Sequence, residues 1–181
     1  MRKNTLSVLT EAAMMTALAV VFSYLSLFRL PQGGSIELSM LPIAIFAWRR
    51  GPKWGAAVGL LCGALQYLLG NGFAIDWTTI LCDYLLAFCV FGLGAGLFGG
   101  NRRGFVCGVL TGAGFRFAVH LAIGALIWAK WMPEKFFGMT MTSPWFYSFL
   151  YNGSYMAVDT ALVLAVGVLL IRPFLARAKT E

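Results

Sequence analysis

Charged side chains are scarce in this sequence. Of its 181 residues, 12% are charged and 60% are hydrophobic, and the acidic residues number seven beside a single histidine. The charged positions fall in short breaks between about six apolar stretches. A bilayer core takes about 20 apolar residues per helix, and a run of 18 or more is a candidate span. This distribution excludes an ordinary water-soluble domain and indicates a multi-pass membrane protein.

Motifs for metal, nucleotide and nucleophilic chemistry are also missing. The sequence has no phosphate-cradling glycine motif, so any ATP-driven work must come from a partner. The four cysteines lie within apolar stretches without metal-ligand spacing, and we interpret Cys62, Cys82, Cys89 and Cys107 as small fillers with free thiols. No nucleophilic serine motif supports an intramembrane enzyme, which stays a remote alternative. We expect no catalytic residue, no metal and no cofactor of the chain's own.

The apolar pattern predicts an all-α bundle of six transmembrane helices, forming one integral membrane domain over residues 1–181. The first run, Leu6 to Phe28, is too long for a signal peptide and we expect it to be retained. The second is short for a span and contains Pro42. The predicted helices cover residues 6–28, 36–48, 54–69, 78–97, 105–128 and 145–171.

The net charge of +7 lies on residues dispersed over short loops, which favours membrane topology over nucleic-acid binding. If the N-terminus is cytoplasmic, ten cationic residues fall on that side and three on the other. The first group is Arg2, Lys3, Arg49, Arg50, Lys53, Arg102, Arg103, Arg172, Arg177 and Lys179, and the second is Arg29, Lys130 and Lys135. This bias and an even number of spans predict that both termini are cytoplasmic.

Polar groups at membrane depth are costly and usually face an interior or a cavity. Asp83, His120 and Asn152 lie on three different predicted helices, each roughly 8–12 Å inside the outer end. Tyr84, Trp128, Tyr147 and Tyr151 fall in the same layer. A carboxylate with aromatic faces suits a flat, cationic small molecule. We therefore predict a ligand site on the extracellular side, and we assign Trp145, Tyr151 and Tyr155 to an interfacial aromatic belt.

Two further polar features complete the pattern. Arg116 and Asp159 fall near the midplane of neighbouring helices, and we predict that they pair, because pairing relieves the cost of two isolated charges. Ala13-x-x-x-Ala17 forms a small-residue groove on helix 1 that suits a close helix contact. The spacing alone leaves open whether that contact lies within the bundle or with a partner.

With these residues in view, the chain resembles the thiamine-specific substrate-binding (S) component of energy-coupling factor (ECF) vitamin transporters. The resemblance covers nearly the whole chain, through the order and spacing of its motifs. These are Leu9-Thr10-Glu11-Ala12-Ala13, Met40-Leu41-Pro42-Ile43, Arg49 to Gly55, Leu81-Cys82-Asp83-Tyr84, His120 to Trp128 and Tyr147 to Gly153.

The resemblance implies a six-helix bundle in a prokaryotic plasma membrane that binds thiamine from outside. It also implies assembly with a transmembrane coupling subunit and two cytoplasmic ATPases, with ATP used by those partners. Asp83 matches the acidic ligand position, and Arg116 falls where a Lys is found. Tyr84, His120, Trp128, Tyr147 and Asn152 match positions around the vitamin, and Ala13 and Ala17 match the groove that docks on the coupling subunit.

The loop after helix 1 departs from the resemblance. A relative places a Trp over the ligand there, whereas this chain has Pro31-Gln32-Gly33-Gly34. We expect the lid to come from Arg29–Ile36 and Lys130–Pro144, the outer loops that are long enough. Either another aromatic closes the lid or the closed state is held differently. The ligand could also be a thiamine precursor or another flat heterocycle.

Overall fold

The computed structural model describes residues 2–177, so Lys179 of the predicted cytoplasmic group lies outside the described part. Six helices of 11 or more residues make up most of that part. They are α1 (Arg2–Tyr24), α2 (Met40–Arg50), α3 (Pro52–Leu68), α4 (Trp77–Ala95), α5 (Arg102–Leu126) and α6 (Pro144–Leu170). A short helix, α7 (Arg172–Arg177), follows. Two small antiparallel hairpins pair β1 (Phe28–Arg29) with β2 (Ser35–Ile36) and β3 (Lys135–Phe136) with β4 (Met139–Thr140).

Four of the helices are long and apolar enough to cross a membrane. They comprise residues Thr5–Tyr24 of α1, together with α4, α5 and α6. Helix α2 differs because every residue from Met40 to Trp48 is buried in the protein. A helix that is apolar all round and enclosed by neighbours is a core element. Its short length therefore reflects burial inside the bundle.

Each predicted helix boundary lies within four residues of the observed one, and the largest differences fall at the start of α1 and beside the first loop. Helix α1 ends at Tyr24 instead of Phe28, because β1 pairs Phe28 with Ile36 of β2. For the same reason α2 begins at Met40 and not at Ile36. The fifth predicted helix is shifted toward the C-terminus, since α5 begins at Arg102 and ends at Leu126, and Trp128 starts a 3-10 turn, Trp128–Trp131.

Side chains at the ends of the α3–α4 and α5–α6 connections determine where α4 and α6 begin. Asp76 and Thr79 form a capping box: the Asp76 carboxylate accepts from the Thr79 backbone N–H at 2.8 Å, and the Thr79 hydroxyl accepts from the Asp76 N–H. Ser143 caps α6 by accepting from the Phe146 N–H, and Pro144 occupies the first turn. These caps set the start of the two helices that carry most of the predicted site.

Helix α3 packs directly on the backbone of α4 through glycines spaced four residues apart. A Cβ placed on Gly59 would lie 2.8 Å from the carbonyl carbon of Phe88, and one on Gly63 would lie 2.8 Å from that of Tyr84. Gly55 meets Gly92 in the same way. Small residues at this spacing allow close helix approach where no hydrophobic force joins the helices. The contact holds the middle of α4, which carries Asp83 and Tyr84, close against α3.

We predict that Gly59→Ala destabilises the protein, because the added methyl group cannot fit against the α4 backbone. The expected loss is about 1–3 kcal/mol, the usual cost of overpacking. Thermal unfolding in detergent, followed by loss of the monodisperse species, measures it. Gly114→Ala on exposed α5 surface is the matched control, since a Cβ there meets nothing within 4 Å. Equal melting midpoints for the two variants would contradict this account.

Candidate functional site

A cavity opens at the end of the bundle that carries the α1–α2 and α3–α4 connections. Its empty volume, including the open mouth, is about 780 Å³. Its wall is formed by α4, α5 and α6 with parts of those two connections. Gln66 of α3 and Trp128 of the 3-10 turn after α5 also line it. The structure places all seven predicted ligand residues in this wall: Asp83, Tyr84, Arg116, His120, Trp128, Tyr147 and Asn152. Helices from different parts of the sequence thus bring their few polar groups together.

Asp83 and Tyr84 lie in a π-helical segment of α4, Ile80–Leu86. Single π turns of this kind are uncommon and occur often at functional sites, because they redirect side chains from the regular α-helical positions. One Asp83 carboxylate oxygen lies 3.0 Å from Nδ1 of His120, and the other accepts from Nε1 of Trp128 at 3.0 Å. Asp83 thereby connects α4, α5 and the 3-10 turn after α5.

The predicted Arg116–Asp159 pair is confirmed, with Nη1 3.8 Å from a carboxylate oxygen of Asp159. Asp159 also accepts from the Glu37 backbone N–H at 2.8 Å, which attaches the α1–α2 connection to α6. The guanidinium lies over the ring of Phe88, 5.2 Å from its centroid. Asp159 is 2% exposed, so the Arg116 guanidinium and the Glu37 N–H compensate its charge in place of water.

Glu37 is an acidic group that sequence reasoning missed. It lies just before α2, 6% exposed, and its carboxylate accepts from the hydroxyls of Ser39 at 2.6 Å and Ser35 at 3.0 Å. Burial raises the pKa of the Glu37 carboxyl, and these two hydrogen bonds and the positive charge of Arg116 lower it in part. A lone Glu flanked by serines at the start of an apolar run was the available signal.

Asn152 is largely used within the protein. Its amide nitrogen donates to the Ser148 carbonyl at 3.0 Å and the His120 carbonyl at 3.3 Å, and its oxygen accepts from Tyr155 at 3.0 Å. Ser148 in turn donates to the Leu121 carbonyl at 2.9 Å. These bonds hold α5 against α6. Asn152 thus faces the cavity and also positions the His120 backbone.

The assignment of Tyr151 and Tyr155 to an interfacial belt is wrong. Both are buried in the cavity wall, at 7% and 5% exposure, whereas Trp145 is 52% exposed. Tyr147, Tyr151 and Tyr155 are spaced by four residues and so share one face of α6. The Tyr151 hydroxyl accepts from the backbone N–H groups of Gln32 and Gly34, both at 3.2 Å. The periodicity was the signal that distinguished these tyrosines from Trp145.

The prediction of the covering loops is partly wrong. Gln32, Gly33 and Gly34 of the first loop do line the cavity, and the Tyr147 hydroxyl donates to the Gln32 side-chain oxygen at 2.9 Å. No described residue of Lys130–Pro144 lines it, and the second covering segment is the α3–α4 connection with Asn71 and Phe73. That connection contributes because Tyr84, below it, hydrogen-bonds to the Phe73 backbone at both N–H and C=O.

The fold and cavity together define a multi-pass membrane protein with an acidic, aromatic-lined pocket for a small molecule. The family described as "Thiamine transporter protein (Thia_YuaJ)" matches residues 9–178, and the chain belongs to this family. It is 33% identical over 178 residues to the thiamine transporter ThiT of Bacillus subtilis (strain 168), covering 90% of this chain and 88% of that one.

Two further proteins are similar to this chain. The thiamine transporter ThiT of Lacticaseibacillus paracasei is 27% identical over 181 residues, covering 91% of this chain and 87% of the relative. The solved structure of ThiT from Listeria monocytogenes has a TM-score of 0.81, with 21% identity over 95% of this chain and 98% of that one. At that identity the match shows a shared fold.

We predict that Asp159→Asn lowers the yield of folded protein, because it leaves the Arg116 guanidinium buried without its partner charge. Removing one member of a buried pair typically costs about 3–5 kcal/mol. Adding Arg116→Gln in the same chain should restore part of the loss. Detergent-extracted, monodisperse protein measured by size-exclusion chromatography gives the yield. A double variant no better than the single Asp159→Asn variant would show that the two charges do not compensate each other.

Proposed function

We propose that this chain is the thiamine-specific S component of an ECF-type importer, a single substrate-binding domain in the plasma membrane of a prokaryote. It captures thiamine from the extracellular side, and partner ATPases supply the energy. The observation that carries the proposal is the Asp83 site, where one carboxylate lies between an imidazole and an indole within a chain of the thiamine transporter family.

The chemistry of the cavity suits thiamine. Thiamine combines a cationic thiazolium ring with a flat aminopyrimidine. Asp83 supplies a negative charge, while Trp128, His120 and Tyr84 supply ring faces and edges that attract a flat cation. Arg116, Tyr147 and Asn152 supply donors and acceptors elsewhere in the same wall. We assign these seven residues to ligand binding, and no catalytic step or further cofactor is part of the proposal.

The distribution of cationic residues supports an opening of the cavity toward the outside. The cavity end of the bundle carries Arg29, Lys130 and Lys135, the three cations of the smaller group. The opposite end carries Arg49 and Arg50, which both contact Glu11 of α1. By the positive-inside rule this opposite end is cytoplasmic. We therefore propose six spans with both termini inside, α2 and α3 completing the count within the bundle.

Helix α1 supports a docking role toward the coupling subunit. Ala13 and Ala17 are exposed, and Leu9, Met14 and Leu18 beside them are exposed apolar residues. The alanines therefore do not serve internal packing, the other possibility that their spacing allowed. We propose that this face contacts the transmembrane coupling subunit, through which the two ATPases act.

We predict that Asp83→Asn lowers thiamine affinity at least tenfold, because a hydrogen bond to a charged group contributes about 1.5–3 kcal/mol. Isothermal titration of the purified protein measures it, with Glu134→Gln, an exposed acid in the α5–α6 connection, as control. Titrations with the pyrimidine half of thiamine and with riboflavin test the alternative ligands. Unchanged thiamine affinity in the Asp83 variant would refute the assigned role.

We also predict that Ala17→Trp abolishes thiamine uptake by cells while leaving thiamine binding by the purified chain within about twofold, since the indole obstructs only a close helix contact. Leu110→Trp, on the exposed face of α5, is the control for a bulky residue toward lipid. Normal uptake by the Ala17 variant would argue against docking through α1.

A further inference from the structure

The α1–α2 connection lacks an aromatic side chain where it covers the cavity. Gly33 has φ +90°, a conformation that favours glycine. A Cβ at Gly34 would lie 2.8 Å from the Tyr155 ring. Neither position accommodates a large side chain in this arrangement. An aromatic ring over a bound ligand therefore has to come from another position.

Phe73 of the α3–α4 connection supplies an aromatic ring that lines the cavity. Its ring centroid lies 5.6 Å from that of Trp128, and the two ring planes are inclined by 31°. Its Cβ lies 3.2 Å from the Cβ that Gly33 lacks, so the ring uses the space beside the glycine turn. Phe73 is nevertheless 50% exposed. A half-exposed ring tilted against Trp128 of the cavity wall can cover a flat ligand at the mouth.

The backbone of Phe73 is positioned by a residue of the ligand site. The Tyr84 hydroxyl accepts from the Phe73 N–H at 2.5 Å and donates to the Phe73 carbonyl at 3.2 Å. Asn71, two residues earlier, donates to the Ser23 carbonyl and hydroxyl at 2.8 Å and accepts from Arg29. The connection is thus attached both to α4 below the cavity and to the outer end of α1.

From this geometry we infer that Phe73 is the aromatic lid of the ligand site, a specificity-determining residue that covers the cationic ring of the ligand on the face opposite Trp128. The inference rests on the proposed function. A third ring between two others needs about 7 Å, because stacked rings lie about 3.5 Å apart. The present 5.6 Å separation therefore requires Phe73 to move outward when the ligand enters and to close again over it.

Release kinetics of thiamine test the inference. Phe73→Ala should raise the dissociation rate constant about tenfold or more, since the face of the cation loses its aromatic partner. Phe73→Tyr should stay within about threefold of the wild-type rate. Phe73→Leu keeps apolar bulk without a ring, and should release thiamine nearly as fast as the alanine variant. A radiolabelled-thiamine chase on purified, monodisperse protein measures each rate.

Phe137→Ala is the matched control, because Phe137 is a 65% exposed ring in the α5–α6 connection that does not line the cavity. It should release thiamine at the wild-type rate. Wild-type release from Phe73→Ala, or from Phe73→Leu, would overturn the inference while leaving the proposed function intact. A wild-type chain that does not bind thiamine would overturn both.

Discussion

The Asp83 carboxylate joins three parts of the cavity wall, and the site depends on it. A carboxylate at membrane depth is expensive unless its charge is compensated. Here His120 and Trp128 contact its two oxygens, and the π turn of α4 directs it toward them. The glycine contact between α3 and α4 holds that turn in place. Helix packing, backbone geometry and charge compensation therefore act on the same side chain.

A second charged cluster, formed by Glu37, Arg116 and Asp159, reaches the cavity wall through Glu37 and Arg116. Asp159 pairs with Arg116, whose positive charge also acts on Glu37, and the hydroxyls of Ser35 and Ser39 hydrogen-bond to the Glu37 carboxylate. Among the described residues that line the cavity, Glu37 and Asp83 are acidic and Arg116 is the arginine. Acidic clefts with low-dielectric walls concentrate cations. The electrostatics thus favour a cationic ligand before any ring stacks on it.

The parts of this site that could be predicted are those carried by long helices. Polar residues are rare in such runs, so Asp83, His120 and Asn152 were conspicuous and their depth followed from helix geometry. Glu37 was missed because the β1–β2 hairpin replaces the predicted start of α2. The segment after the hairpin packs into the bundle, where the Glu37 N–H donates to Asp159. Phe73 carried no signal, since its place depends on the hydroxyl of Tyr84 and on the turn at Gly33.

Helix α1 links the segments that cover the cavity to the surface proposed to contact the coupling subunit. Its exposed face carries Ala13 and Ala17, while Ser23 near its C-terminal end accepts from Asn71 of the α3–α4 connection. The β1–β2 hairpin follows directly and is attached to α6 through Tyr151. Displacement of α1 must therefore strain both segments that cover the cavity. Such coupling is reciprocal. If a bound ligand opposes displacement of α1, then a partner that binds the displaced form weakens ligand binding by the same free energy.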